Sequence, residues 1–86
     1  MKYIVIDVRE PEEFATGHID GAINIPPSTL MTYKDDINGI PKGSNIIVYC
    51  KTGSRSNMAK NILENLGYKN ITNGINKEQV KARLGL

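Results

Sequence analysis

Apolar positions along the chain follow two rhythms, short uninterrupted runs and longer stretches with helical spacing. Tyr3-Ile-Val-Ile-Asp-Val8 is apolar on both faces, the pattern of a strand covered on both sides within a parallel sheet. Pro11 suits a first helical position and opens a short acidic turn, Glu12-Glu-Phe-Ala15, that ends at Gly17. Ala22-Ile-Asn-Ile25 reads as a second short strand. Pro27 and Ser28 start a helix expected to reach about Asp36, with Leu30, Tyr33 and Ile37 on one side and Gly39, Pro41 and Gly43 ending it. Asn45-Ile-Ile-Val-Tyr49 is the central strand. The next helix is expected to carry Met58, Ala59, Ile62, Leu63 and Leu66 on one stripe and to stop at Gly67, with Tyr68 folding back as a Schellman contact. Asn70-Ile-Thr72 is a last strand, and Asn76 with Gln79 forms a capping box for a final helix carrying Val80 and Leu84.

Strands that alternate with helices predict an α/β fold, a small parallel sheet with helices on both faces. In such sheets ligands collect outside the carboxyl ends of the strands. Asp7 and Cys50 both stand at that end, so Asp7-Val-Arg9 and the segment after Cys50 are expected to share a rim.

Length and charge narrow the picture further. Eighty-six residues make one domain, residues 1–86, with a real core and no room for a second. A formal charge of +2, with the cations dispersed, argues against a nucleic-acid stripe. The single cysteine excludes an internal disulfide framework, and one cysteine with one histidine leaves no ligand set for zinc, so no metal is expected. A reducing cytoplasm is the natural setting. The run Met1-Lys-Tyr-Ile-Val-Ile6 is far too short for a secretory core or a membrane span, so no membrane partner is expected.

The chemistry concentrates at Cys50, where the central strand gives way to Lys51-Thr-Gly-Ser-Arg-Ser56 and then to a helix. A loop entering a helix N-terminus points unpaired backbone N–H groups at one spot, and the helix dipole adds partial positive charge. The first anion such a cradle favours is the Cys50 thiolate itself, and Lys51 and Arg55 are expected to depress its pKa further. Packing is the commoner reason for a lone cysteine. A core cysteine, however, does not need a glycine, hydroxyl residues and two cations in the residues that follow. Gly53 supplies backbone freedom, and Thr52, Ser54 and Ser56 can donate hydrogen bonds to a bound oxyanion.

Ile6-Asp-Val-Arg-Glu-Pro-Glu-Glu-Phe14, Gly17-His-Ile-Asp-Gly-Ala-Ile-Asn-Ile-Pro26 and Cys50-Lys-Thr-Gly-Ser-Arg-Ser56 together resemble the single-domain rhodanese, or thiosulfate sulfurtransferase-like, family from about Ile4 to Tyr68. The resemblance implies a cysteine that attacks the outer sulfur of a donor and holds it as a persulfide. Cys50 is then the catalytic residue, and Lys51, Thr52, Gly53, Ser54 and Arg55 bind the substrate. It also implies a small anionic donor such as thiosulfate, a thiol or cyanide-like acceptor, and no cofactor. Phosphotyrosine-type phosphatases need five residues between Cys and Arg to wrap a phosphoryl group, whereas Arg55 comes after four, which disfavours phosphatase and arsenate-reductase chemistry. The alternative of another class is a non-catalytic or sulfur-carrier module that docks on a partner protein.

Asp7 with Arg9, and His18 within its Gly-His-Ile turn, are read as structural hydrogen-bonding residues rather than catalytic ones. Against the family pattern the chain is N-terminally shortened, since members usually carry a strand and helix before Asp-Val-Arg. Asn73-Gly74-Ile75 stands where Gly-Gly is common, and no Trp follows. The shorter sheet is expected either to be modestly stable as a monomer or to form a homodimer that covers its exposed surface.

Overall fold

The computed structural model describes residues 2–32 and 39–86. Strands β1 (Ile4–Asp7), β2 (Ile23–Asn24), β3 (Asn45–Tyr49) and β4 (Asn70–Ile75) alternate with helices α1 (Pro11–Ala15), α2 (Pro27–Thr32), α3 (Ser54–Asn65) and α4 (Lys77–Leu84). The strands form one parallel sheet in the order β2-β1-β3-β4, with β3 paired to β1 and β4. Both central strands therefore end on the same edge, which brings Asp7 level with Tyr49 and places Cys50 just beyond.

Side-chain alternation along the strands divides the core into two layers. Ile6, Val8, Ile46 and Val48 face α2 and α3, where they meet Leu30, Ala59, Leu63 and Tyr68. Val5, Ile47 and Tyr49 face the other way and pack with Ile19 and Val80 of α4. Apolar residues on both faces of the short strands are thus accounted for. Each layer removes side chains from water at roughly 25 cal/mol per Å² of apolar area.

Helix α3 follows its expected stripe with one correction. Ala59 and Leu63 are buried and Ile62 and Leu66 pack at the margin, but Met58 is 52% exposed. At about 100° per residue the stripe centres between Ala59 and Leu63, and Met58 falls roughly a quarter-turn outside it. The helix ends as expected. Gly67 takes φ 101°, its N–H donates to Glu64 O at 3.0 Å, and Tyr68 N–H donates to Leu63 O at 3.1 Å, the paired bonds of a Schellman motif. Asn76 caps α4 by accepting from Gln79 N–H at 2.9 Å, but the reciprocal half of the expected capping box is replaced, because Asn76 N–H donates to Gly74 O.

Strand boundaries differ from the reading of the sequence. β2 is confined to Ile23–Asn24, and α2 is described to Thr32, so its expected extension with Tyr33 and Ile37 lies outside the described residues. β4 runs past Thr72 to Ile75. Asn73-Gly74 has the composition of a turn, yet here it forms a bulge in which Val48 pairs with Asn73, Tyr49 pairs with Ile75, and Gly74 is extra. A Cβ at Gly74 would lie 2.5 Å from Val80 Cγ2 and 2.8 Å from Ile47 Cγ2, so only glycine lets α4 approach the sheet this closely. Beyond it, Ile75 adopts φ 75°, rare for a β-branched residue, in a three-residue turn closed by Asn76 N–H donating to Gly74 O at 2.9 Å.

Candidate functional site

Cys50 follows the carboxyl end of β3, its N–H tied to Ile75 O of the bulged strand at 3.0 Å. The chain then turns sharply, and Gly53 adopts φ 98° as the N-cap of α3. An added Cβ there would press on Ile75 Cγ2 at 3.3 Å, in a backbone region that L side chains rarely adopt. This turn aims Gly53 N–H at Cys50 Sγ, 3.1 Å away. The buried Ser56 hydroxyl, from the first turn of α3, lies 3.5 Å from the same sulfur.

Burial pushes the Cys50 thiol up, but the Ser56 hydroxyl and the backbone N–H groups of Ser56, Gly53 and Thr52 outweigh it and bring the pKa down to about 7. The depression thus comes from hydrogen bonds of the loop. These donors include the cradle of loop N–H groups that the sequence suggested, and Arg55, which couples electrostatically to the sulfur, adds to their effect. Since a lowered thiol pKa enlarges the thiolate fraction at neutral pH, alkylation of Cys50 by iodoacetamide should rise with pH through a midpoint near 7 and level off by about pH 9. A midpoint at the ordinary value of about 8.5 would show that the loop does not stabilise the thiolate.

The substrate-binding candidates occupy different surroundings. Lys51 lines a cavity of about 360 Å³ that has Cys50 in its wall. Thr52 on the loop and Ser54 at the start of α3 are exposed, and Gly53 makes the sulfur contact already described. Arg55 turns to α1, where its guanidinium forms a bidentate pair with Glu13 at 2.6 and 3.1 Å. This pair holds the Glu13 carboxyl down to about 2. Glu13 Oε1 also accepts from Glu10 N–H at 3.1 Å, so the same carboxylate staples α1 and anchors the Cys50 loop.

Arg9, Thr16, Asn76, Lys77 and Glu78 complete the cavity lining with Glu13. Sequence reading had not included Thr16, Asn76, Lys77 or Glu78 in the site. They come from the end of α1 and the start of α4, and only the placement of those helix ends at the carboxyl edge of the sheet could have singled them out. Arg9 is held by the buried Asp7 carboxylate through contacts of 2.7, 3.0 and 3.1 Å and donates to Gly17 O at 2.6 Å, the loop-fixing role expected of it. His18 stacks on Phe14 with ring centroids 3.6 Å apart, and its Nδ1 lies 2.9 Å from Phe14 O. It borders a different pocket, with Ile19, Asp20, Lys81 and Leu86. Among the described residues no helix is long and apolar enough to cross a membrane.

A thiol whose pKa is lowered by loop donors, at the carboxyl edge of a parallel sheet and beside a cavity lined by Arg9, Lys51 and Lys77 together with Glu13 and Glu78, defines a small α/β protein with a cysteine-anchored anion loop. The family model of the rhodanese-like domain matches residues 1–77, and the chain belongs to that family. It is 41% identical over 80 residues to a putative mitochondrial thiosulfate sulfurtransferase of Schizosaccharomyces pombe, a match covering 81% of this chain and 56% of that protein. It is 43% identical over 70 residues to the thiosulfate sulfurtransferase PspE of Escherichia coli, covering 79% and 64% respectively. The chain therefore spans less than two thirds of the length of these two relatives. A solved structure described as a rhodanese with anions from E. coli superposes with a TM-score of 0.79 at 33% identity, covering 91% of each chain.

Proposed function

We propose that this chain is a thiosulfate-type sulfurtransferase acting through a Cys50 persulfide. The thiolate attacks the outer sulfur of the donor, the donor's S–S bond breaks, and sulfite departs with the bonding electron pair. Cys50 now carries the outer sulfur. A thiolate or cyanide acceptor then attacks that sulfur, and the electron pair of the breaking bond returns to Cys50 as thiolate. Splitting one transfer into two displacements at the same atom is the advantage of a covalent intermediate.

The observation that carries this reading is Cys50 in the cavity wall with Gly53 N–H aimed at its Sγ from 3.1 Å. The same donors that favour the thiolate suit a persulfide anion one bond further out, and Lys51 and Lys77 on the wall draw an anionic donor in. Intact-mass measurement after thiosulfate treatment tests it. A gain of one sulfur atom that a thiol reductant reverses is expected; an unchanged mass would overturn the proposal.

The two lysines should contribute to capture rather than to the chemical step. Lys51→Ala and Lys77→Ala are each expected to raise KM for thiosulfate by about threefold at low salt, an effect that fades as ionic strength rises, with kcat little changed. Steady-state kinetics at two salt concentrations check this. Arg55, engaged by Glu13, serves here as an anchor of the loop instead of a free cation.

A further inference from the structure

Ser56 has one hydroxyl proton and three acceptors within reach. Its oxygen lies 2.6 Å from Asn73 Oδ1, 3.1 Å from Gly53 O and 3.5 Å from Cys50 Sγ. The Asn73 amide cannot turn over, because Ile75 N–H donates to Oδ1 at 3.0 Å while Nδ2 donates to Gly53 O at 3.1 Å. Oδ1 therefore faces Ser56 as a pure acceptor. Two oxygens 2.6 Å apart require a proton between them, and only Ser56 can supply it.

With that proton on Asn73, Ser56 turns a lone pair toward the sulfur and can accept from the thiol S–H. Once Cys50 ionises, the better arrangement is the reverse, with the hydroxyl rotated to donate to the sulfur. Asn73 Oδ1 then keeps only Ile75 N–H. We infer that Asn73 is a positioning residue that competes with Cys50 for the Ser56 hydroxyl proton, so that forming the thiolate requires this hydroxyl to change acceptors. The inference rests on Cys50 being the nucleophile of the proposed reaction, but its test needs no sulfur donor.

Without Asn73 the Ser56 proton is shared only between Gly53 O and the sulfur, and the charged thiolate is the stronger acceptor of the two. Gly53 O keeps its helical bond from Asn57 N–H at 2.9 Å, and Cys50 N–H stays on Ile75 O, so the loop retains its backbone supports. The charged groups around the sulfur are untouched by the change: Arg9 held by Asp7, Arg55 held by Glu13, and Lys51, Lys77 and Glu78 on the cavity wall.

The experiment is the pH profile of iodoacetamide alkylation, with ultraviolet thiolate absorbance as a second readout, for Asn73→Ala, Asn73→Gly, Ser56→Ala and Asn73→Ala combined with Ser56→Ala. Either Asn73 variant should move the midpoint down and speed alkylation near pH 6 by about fivefold, the scale of one neutral hydrogen bond. Ser56→Ala should slow it by a similar factor. In the Ser56→Ala background Asn73→Ala should have no further effect. A midpoint that rises or stays put in both Asn73 variants would overturn the inference. So would an equal shift in the presence and absence of Ser56, which would mean that Asn73 acts by holding the loop. Asn70→Ala, in the same strand with an exposed side-chain amide that donates to Gly43 O at 3.3 Å, should leave the profile unchanged; a shift like that of the Asn73 variants would mark general loosening of β4 and count against the inference.

Discussion

Cys50→Ser is expected to retain the fold and to lose sulfur transfer by about a thousandfold or more, as loss of a nucleophile usually entails. Serine matches the thiol closely in size, so packing around the 2%-exposed position changes little. Its hydroxyl, unlike the thiol, stays protonated at neutral pH and cannot carry a sulfane sulfur. Thiosulfate:cyanide assays alongside circular dichroism separate the two effects. Activity within about tenfold of the parent in a folded Cys50→Ser protein would remove Cys50 from the mechanism.

The second large effect concerns stability. Gly74→Ala places a methyl carbon against Val80 Cγ2 and Ile47 Cγ2, both on β-branched side chains buried between α4 and the sheet. Such side chains have few alternative rotamers, so the clash is relieved only by shifting α4 or the bulge. Overpacking of this kind costs about 1–3 kcal/mol. For a domain of this size that lowers Tm by roughly 5–20 °C. Thermal unfolding should show the drop, and adding Val80→Ala, which removes the nearer obstacle, should recover part of it. A melting point equal to the parent would show that α4 is not pressed against Gly74.

These two positions differ in how plainly the sequence announces them. Cys50 was legible because an apolar run, a thiol, a glycine and a helical stripe follow one another within a few residues, and local order sufficed to build strand, loop and helix. The parallel sheet followed from the alternation of elements. Gly74 was not legible, since Asn-Gly ordinarily signals a turn and nothing local reveals that α4 must pass within van der Waals contact of that strand. The Arg55–Glu13 pair was hidden for a related reason. Its partners are 42 residues apart, and a cation two residues past a loop glycine looks the same whether it faces an incoming anion or a carboxylate of the protein. Ser56 was read as a donor to bound oxyanions; its proton is instead contested inside the protein, a consequence of Asn73 that emerges only when the β4 bulge sets the two side chains side by side.

The burial of Cys50 also governs what its sulfur can meet. A disulfide requires two Cα atoms within about 7 Å of each other. Cys50 is only 2% exposed and lies in the wall of a cavity ringed by helix ends, which makes so close an approach by the cysteine of a second folded chain difficult. Two intact copies are thereby hindered from joining through this residue, although a lowered thiol pKa ordinarily favours oxidation. Small oxidants still fit. Oxidative damage should therefore accumulate as oxygenated forms of a single chain, with covalent dimers arising only after unfolding.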